Sequence, residues 1–105
     1  MRLLKLLLLW SLIFSNYALA STVAKVTGVG TYGDSAIFVF FDRSIAHCGN
    51  KNRIDLAATH PAKQHVFSVA MAAFVGNKAV AVKCVKGNTF GIGNSSFIYL
   101  TNKQP

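Results

Sequence analysis

The stretch that decides how this chain folds is residues 60–84, "HPAKQHVFSVAMAAFVGNKAVAVKC". Pro61 suits the first turn of a helix, where its missing N–H costs nothing, with Thr59 or His60 as the cap. From Ala62 onward, Val66, Val69, Ala70, Ala73 and Phe74 recur at steps of three and four and share one stripe, while Lys63, Gln64 and Ser68 lie away from it. Phe67 and Met71 add an apolar ridge on the flank. Gly76-Asn77-Lys78 supplies the stop, leaving a helix of about 15 residues and about 22 Å, too short to cross a bilayer. The stretch therefore predicts a core or interface helix. It runs directly into a strand over 79–85, with Val80, Val82 and Cys84 on one face and Lys83 on the other.

Working outward, residues 22–29 alternate as a strand, with Ala24 and Val26 facing away from Val23, Lys25, Thr27 and Val29. "TYGDSA", residues 31–36, is a turn, and "IFVFF", residues 37–41, is a strand apolar on both faces. Residues 43–52 form a polar loop carrying Cys48. "RIDLAA" then points Ile54 and Leu56 one way and Arg53 and Asp55 the other, and "SFIYLT", residues 96–101, makes a last strand after a loop rich in Gly and Asn. The order is that of a mostly β, α+β domain: a five-stranded OB-like barrel with one α-helix between strands 3 and 4. An open α+β sheet with the helix packed across it has the same order.

The N-terminus reads as a signal peptide over residues 1–20. Arg2 and Lys5 precede an apolar run at 6–14, and Ala18-Leu19-Ala20 offers small residues for cleavage after Ala20. A single domain at 21–105 follows, secreted or periplasmic, with no membrane span after cleavage. A chain of about 85 residues is near the lower limit for a core that holds unaided, and an oxidising compartment makes Cys48 and Cys84 a disulfide. Without Arg2 and Lys5, nine Lys and Arg stand against Asp34, Asp42 and Asp55, a net charge of +6 with no Glu. That balance suits an anionic partner: a glycan, another anionic envelope component or, least in keeping with export, nucleic acid.

Catalytic chemistry is not written here. His60 and His65 are five apart, about 140° round a helix, so they share neither a metal nor a relay. His47 adjoins a cysteine expected in a disulfide, and three scattered Asp make no carboxylate pair. "GVGTYG", residues 28–33, leads into a strand rather than a helix and so is no phosphate loop. The expectation from these observations is a protein without catalytic activity or cofactor. Tyr32, with Asp34 and Ser35 beside it, suits a sugar face and its hydroxyls. If Ile37, Val39 and Phe41 fill the core, Phe38 and Phe40 point outward. They then await cover by the 86–96 loop or a neighbouring subunit, and Phe67 and Met71 on the helix extend such a homo-oligomer interface.

Residues 37–100 resemble the small secreted proteins related to the subtilase cytotoxin B subunit. The resemblance is carried by the apolar second strand, the Cys in the loop after it, "HPAKQHVFSVAMAAFVGNK" running into "AVAVKC", and "FIYL" after a Gly-rich loop. It implies an OB-fold binding module, assembly as a pentamer, sialylated glycans as ligands and a separate catalytic subunit as partner. It also implies glycan contacts at the start of the first strand, where this chain has Ser21 and Thr22. The expectation is an exported, non-catalytic binding module. The alternative is an envelope assembly protein that forms a homo-oligomer without a small ligand.

Overall fold

Ala24 and Val26 alternate with Lys25 and Thr27, and Ile54 and Leu56 with Arg53 and Asp55, so each segment has one face to bury and one to leave outside. The computed structural model describes residues 21–91 and 95–105, and the leader and cleavage position expected at residues 1–20 lie outside them. Its elements are β1 (Thr22–Thr31), β2 (Ile37–Ile45), β3 (Lys51–Leu56), α1 (Lys63–Gly76), β4 (Ala79–Lys83) and β5 (Phe97–Thr101). The five strands make one antiparallel sheet in the order β3-β2-β1-β4-β5, and the helix falls between β3 and β4 as expected. The sheet is not closed into a barrel: among the described residues no ladder joins β3 to β5. Asp55 of β3 instead forms a parallel bridge with Thr89, its N–H donating to the Asn88 carbonyl and its carbonyl accepting from the Phe90 N–H, each at 2.9 Å.

β1 serves two neighbours in turn. Residues 22–25 pair with β4 and residues 26–31 with β2, and a register shift between Val26 and Gly28 lies just past the handover. There the Asp42 carboxylate accepts the Lys25 N–H at 3.0 Å and two bonds from the Arg43 guanidinium, both 3.0 Å. The Arg43 bonds, helped by the Lys25 amide and opposed by partial desolvation, hold the Asp42 carboxyl down to about 2.

The core lies between the concave face of the sheet and α1, where Val66, Ala70 and Ala73 are buried with Ala24, Val39, Phe41, Ile54, Leu56, Val80 and Val82. Alanines at the contact let helix and sheet approach closely. Cys48 and Cys84 are joined in a disulfide with Cα atoms 4.9 Å apart. Gly49 lies against the backbone of Gly87, so the bridge clamps the β2–β3 turn onto the segment that follows β4. Closing a 36-residue separation stabilises by about 3–4 kcal/mol on the chain-entropy account.

Four local expectations are corrected. β2 continues to Ile45, which is fully buried and pairs with Lys51, so the loop shrinks to residues 46–50. Gly49 and Asn50, with φ of 67° and 58°, make that reversal tight enough. The helix cap is Ala62, whose methyl group can make no capping bond, and the His60 ring accepts the Ala62 N–H instead. Phe74, expected on the core stripe, is 48% exposed, since the close contact at Ala70 and Ala73 turns it outward. In β4 the expected one-sided pattern gives way to burial of Ala79 to Val82 throughout, because Ala79 and Ala81 are small and flanked by longer side chains on β1 and β5.

Candidate functional site

The outward face of β2 carries Phe38 and Phe40, and register decides what lies beside them. Phe38 is opposite Gly30 on β1 and Asp55 on β3, and Phe40 is opposite Gly28 and Arg53. A Cβ at residue 30 would stand 2.5 Å from Phe38 Cζ, closer than two carbons approach, so only glycine there lets the ring lie across β1. Tyr32, at the end of β1, leans on Phe38 with centroids 5.0 Å apart, and Phe40 meets Phe38 edge-on at 5.5 Å. The three rings form one row. Phe38 and Phe40 are half-buried by this arrangement within the single chain, and Tyr32 is exposed.

Asp55 ties the polar side of the row together. Its carboxylate accepts from the Tyr32 hydroxyl at 3.2 Å and from Asn88 Nδ2 at 3.0 Å. Arg53 Nε lies 3.3 Å from Asp55 Oδ1 in an ion pair, without the alignment of a hydrogen bond. The guanidinium carbon sits 6.0 Å from the centroid of the Phe40 ring, at the outer limit of a cation–π contact. Desolvation and then the Asp55 carboxylate push the Tyr32 phenol above its ordinary range, with Arg53 pulling the other way. The phenol therefore stays a donor across the physiological range.

The residues singled out from the sequence divide among several places. Asp34 Oδ1 accepts the Ala36 N–H and so shapes its own turn, and Ser35, at φ 73°, offers its carbonyl to Lys63 Nζ at 3.2 Å. Tyr32 and Ser35, with Lys63, Gln64 and Phe67, border a cleft of about 180 Å³ between that turn and α1. Ser21 and Thr22 stand at the opposite end of β1, a ten-residue strand that spans about 30 Å, so one small ligand does not touch both sets. Of the residues expected at an oligomer interface, Phe38 and Phe40 lie half-buried on β2, whereas on α1 Phe67 packs against the core and Met71 is exposed. Residue by residue, the sequence pointed to Tyr32, Phe38 and Phe40 but missed Arg53, Asp55 and Asn88 as their companions. The outward alternation of Arg53 and Asp55 was visible, whereas the register that sets them beside the rings was not.

His60 has a structural task. With the Ala62 N–H donating to Nδ1 at 3.0 Å, the ring proton sits on Nε2 and donates to the Gly91 carbonyl at 3.2 Å, pinning the start of α1 to the Gly-rich loop. A larger cleft of about 390 Å³ between α1 and β5 includes His60 and Ser96, but both are occupied, the serine hydroxyl by the Val85 N–H. Among the described residues no group of three His, Cys, Asp or Glu is placed to hold a metal ion. What the aromatic row offers is an apolar strip of mutually tilted rings bordered by one carboxylate, one amide and a guanidinium. No protein-family model, curated protein or solved structure matches this chain.

Proposed function

We propose that this is an exported, non-catalytic binding module that recognises a glycan on the row formed by Tyr32, Phe38 and Phe40. The observation that carries the reading is the row itself, floored by Gly30 and edged by Asp55, Asn88 and Arg53. Sugars present C–H faces to aromatic rings and hydroxyls to carboxylates, amides and guanidinium groups, which matches this pairing. A carboxylate in the middle of the site and a single cation beside it disfavour a nucleic-acid backbone, which needs several.

An OB-like build supports the same reading. The sheet order β3-β2-β1-β4-β5 is compatible with an OB-like barrel opened between β3 and β5, with an isolated bridge from Asp55 to Thr89 beside β3. In that fold ligands lie on the strand 2–3 face between the loops that join strands 1–2 and 4–5, which is where the row lies here. The leader-like residues 1–20, the disulfide and the resemblance to toxin B subunits favour export and display of several such faces in a homo-oligomer.

The test is a glycan array with the oxidised protein, repeated with Phe40→Ala and Asp55→Asn. Sugar-dependent signal lost in both variants, at unchanged secondary structure, is the expected result. A blank array, or a signal indifferent to both substitutions, removes the glycan reading. The assembly alternative draws on one observation, the exposed Met71, Phe74 and Val75 on α1. It predicts an oligomer in sedimentation that Phe74→Lys dissociates.

A further inference from the structure

We infer that the end of the sheet where Lys25, Lys78 and Lys103 converge is a second binding site, for a phosphate group carried on a polyol. In the sequence these lysines are far apart. The ladder sets Lys25 of β1 opposite Ala79 of β4 and Ala79 opposite Thr101 of β5, so Lys78, one residue before Ala79, and Lys103, two after Thr101, arrive at the same edge. Together with Asn77, Asn102 and Gln104 they line a concave cleft of about 310 Å³, at the lower end of the range for ligand pockets.

Charge balance makes the cleft more than a solvated edge. Among the described residues the ion pairs are Arg43 with Asp42 and Arg53 with Asp55, so none of the three ammonium groups has an acidic partner. Asp42 bonds the Lys25 N–H, but its carboxylate is held by Arg43. The C-terminus of α1 also faces this region. Its last turn is closed by the Asn77 and Lys78 N–H groups on the Ala73 carbonyl, so part of its half negative charge is met by the backbone itself. Among the described residues no acidic side chain pairs with these lysines, so the concavity carries positive charge. The lysines fit a tetrahedral oxyanion, and the three side-chain amides fit the hydroxyls of the sugar or glycerol that bears it.

The site is separate from the aromatic row and stands whether or not that row binds glycans. Its test follows backbone amide shifts while the oxidised protein is titrated with inorganic phosphate and with glycerol 3-phosphate, beside co-sedimentation with phosphatidylglycerol vesicles against phosphatidylcholine vesicles. Saturable changes confined to residues 25, 77–79 and 101–104 are expected. The variant Lys25→Gln/Lys78→Gln/Lys103→Gln should weaken binding by at least about tenfold. A control of equal net charge, Lys51→Gln/Lys83→Gln/Lys86→Gln, should bind as the parent does, as should Phe40→Ala. Saturation by the soluble phosphates marks a free phosphoester as the source, and binding to phosphatidylglycerol vesicles alone marks a lipid headgroup. Equal weakening in both triple variants overturns the site in favour of net charge, and failure of every probe to saturate overturns it outright. Should the triple variant not fold, Lys103→Gln alone, beyond the last strand, carries the same comparison.

Discussion

Two surfaces of this protein are equally apolar in sequence and differ in what the fold does with them. Phe38 and Phe40 face outward from β2, yet one ring lies across Gly30, the other lies beneath Arg53, and Tyr32 extends the row toward Asp55. Phe74 and Val75 face outward from α1, 48% and 77% exposed, with no aromatic partner or converging polar group among the described residues. The difference teaches that an outward apolar residue becomes part of a site when strand register supplies it with a floor and with polar neighbours. On a helix the side chains fan apart, and hydrophobicity alone organises nothing.

The comparison can be broken most forcefully at the disulfide. Cys48→Ala/Cys84→Ala should cost about 3–4 kcal/mol in urea unfolding. Because it frees the segment that brings Asn88 to Asp55, it should also loosen the aromatic row before it affects α1. A variant whose row residues keep their amide-exchange protection would show that the clamp does not support the site. Next in size is Gly30→Val, which drives a side chain into the Phe38 ring. Because only the tip of the half-buried Phe38 ring has to move, a loss of up to about 1 kcal/mol is expected, with a changed aromatic circular dichroism signal. A neutral result would mean that the ring does not depend on the glycine floor.

A smaller effect is expected at the handover between the two halves of β1. The Asp42 carboxyl is depressed from 3.8 to about 2 in the fold, so its contribution is present above the unfolded value and is lost as pH falls from about 4 toward 2. The group is largely solvated, which limits the effect to under about 1 kcal/mol. Asp42→Asn should flatten that part of the acid-unfolding curve, and an unchanged curve would exclude the Asp42 bonds as the source. Smallest of all is Val75→Lys on α1, where a change within about 0.5 kcal/mol in the isolated chain sharpens the contrast with Gly30. A large loss there would show that this surface is covered after all.

Much of the architecture was legible in the residues themselves. The period of three and four in 62–74, the stop at Gly76-Asn77 and the alternation at Ile54 and Leu56 are local signals, and each produced the element expected of it. Errors arose where a long-range contact overruled a local one. Ile45 belongs to β2 because it pairs with Lys51 and packs inside, which the polar residues between 42 and 44 concealed. Phe74 left the stripe because two alanines, not the larger side chains, set the distance between helix and sheet. Tyr32, Phe38 and Phe40 stood out as candidates from their chemistry, whereas Arg53, Asp55 and Asn88 have no local signature that would join them to those rings.

By itself, then, the sequence determined the number, kind and order of the elements and the reason for a sulfur bridge, because periodicity, turn chemistry and cysteine count act over a few residues or on the chain as a whole. Only the tertiary structure decided that Phe38 lies on Gly30 beside Asp55, that the β3 seam is met by residues 88–90, and that three distant lysines share one cleft. Those outcomes rest on strand register and sheet curvature. A shift of one residue in register would turn the same side chains to the opposite face, and nothing within any single segment encodes that choice.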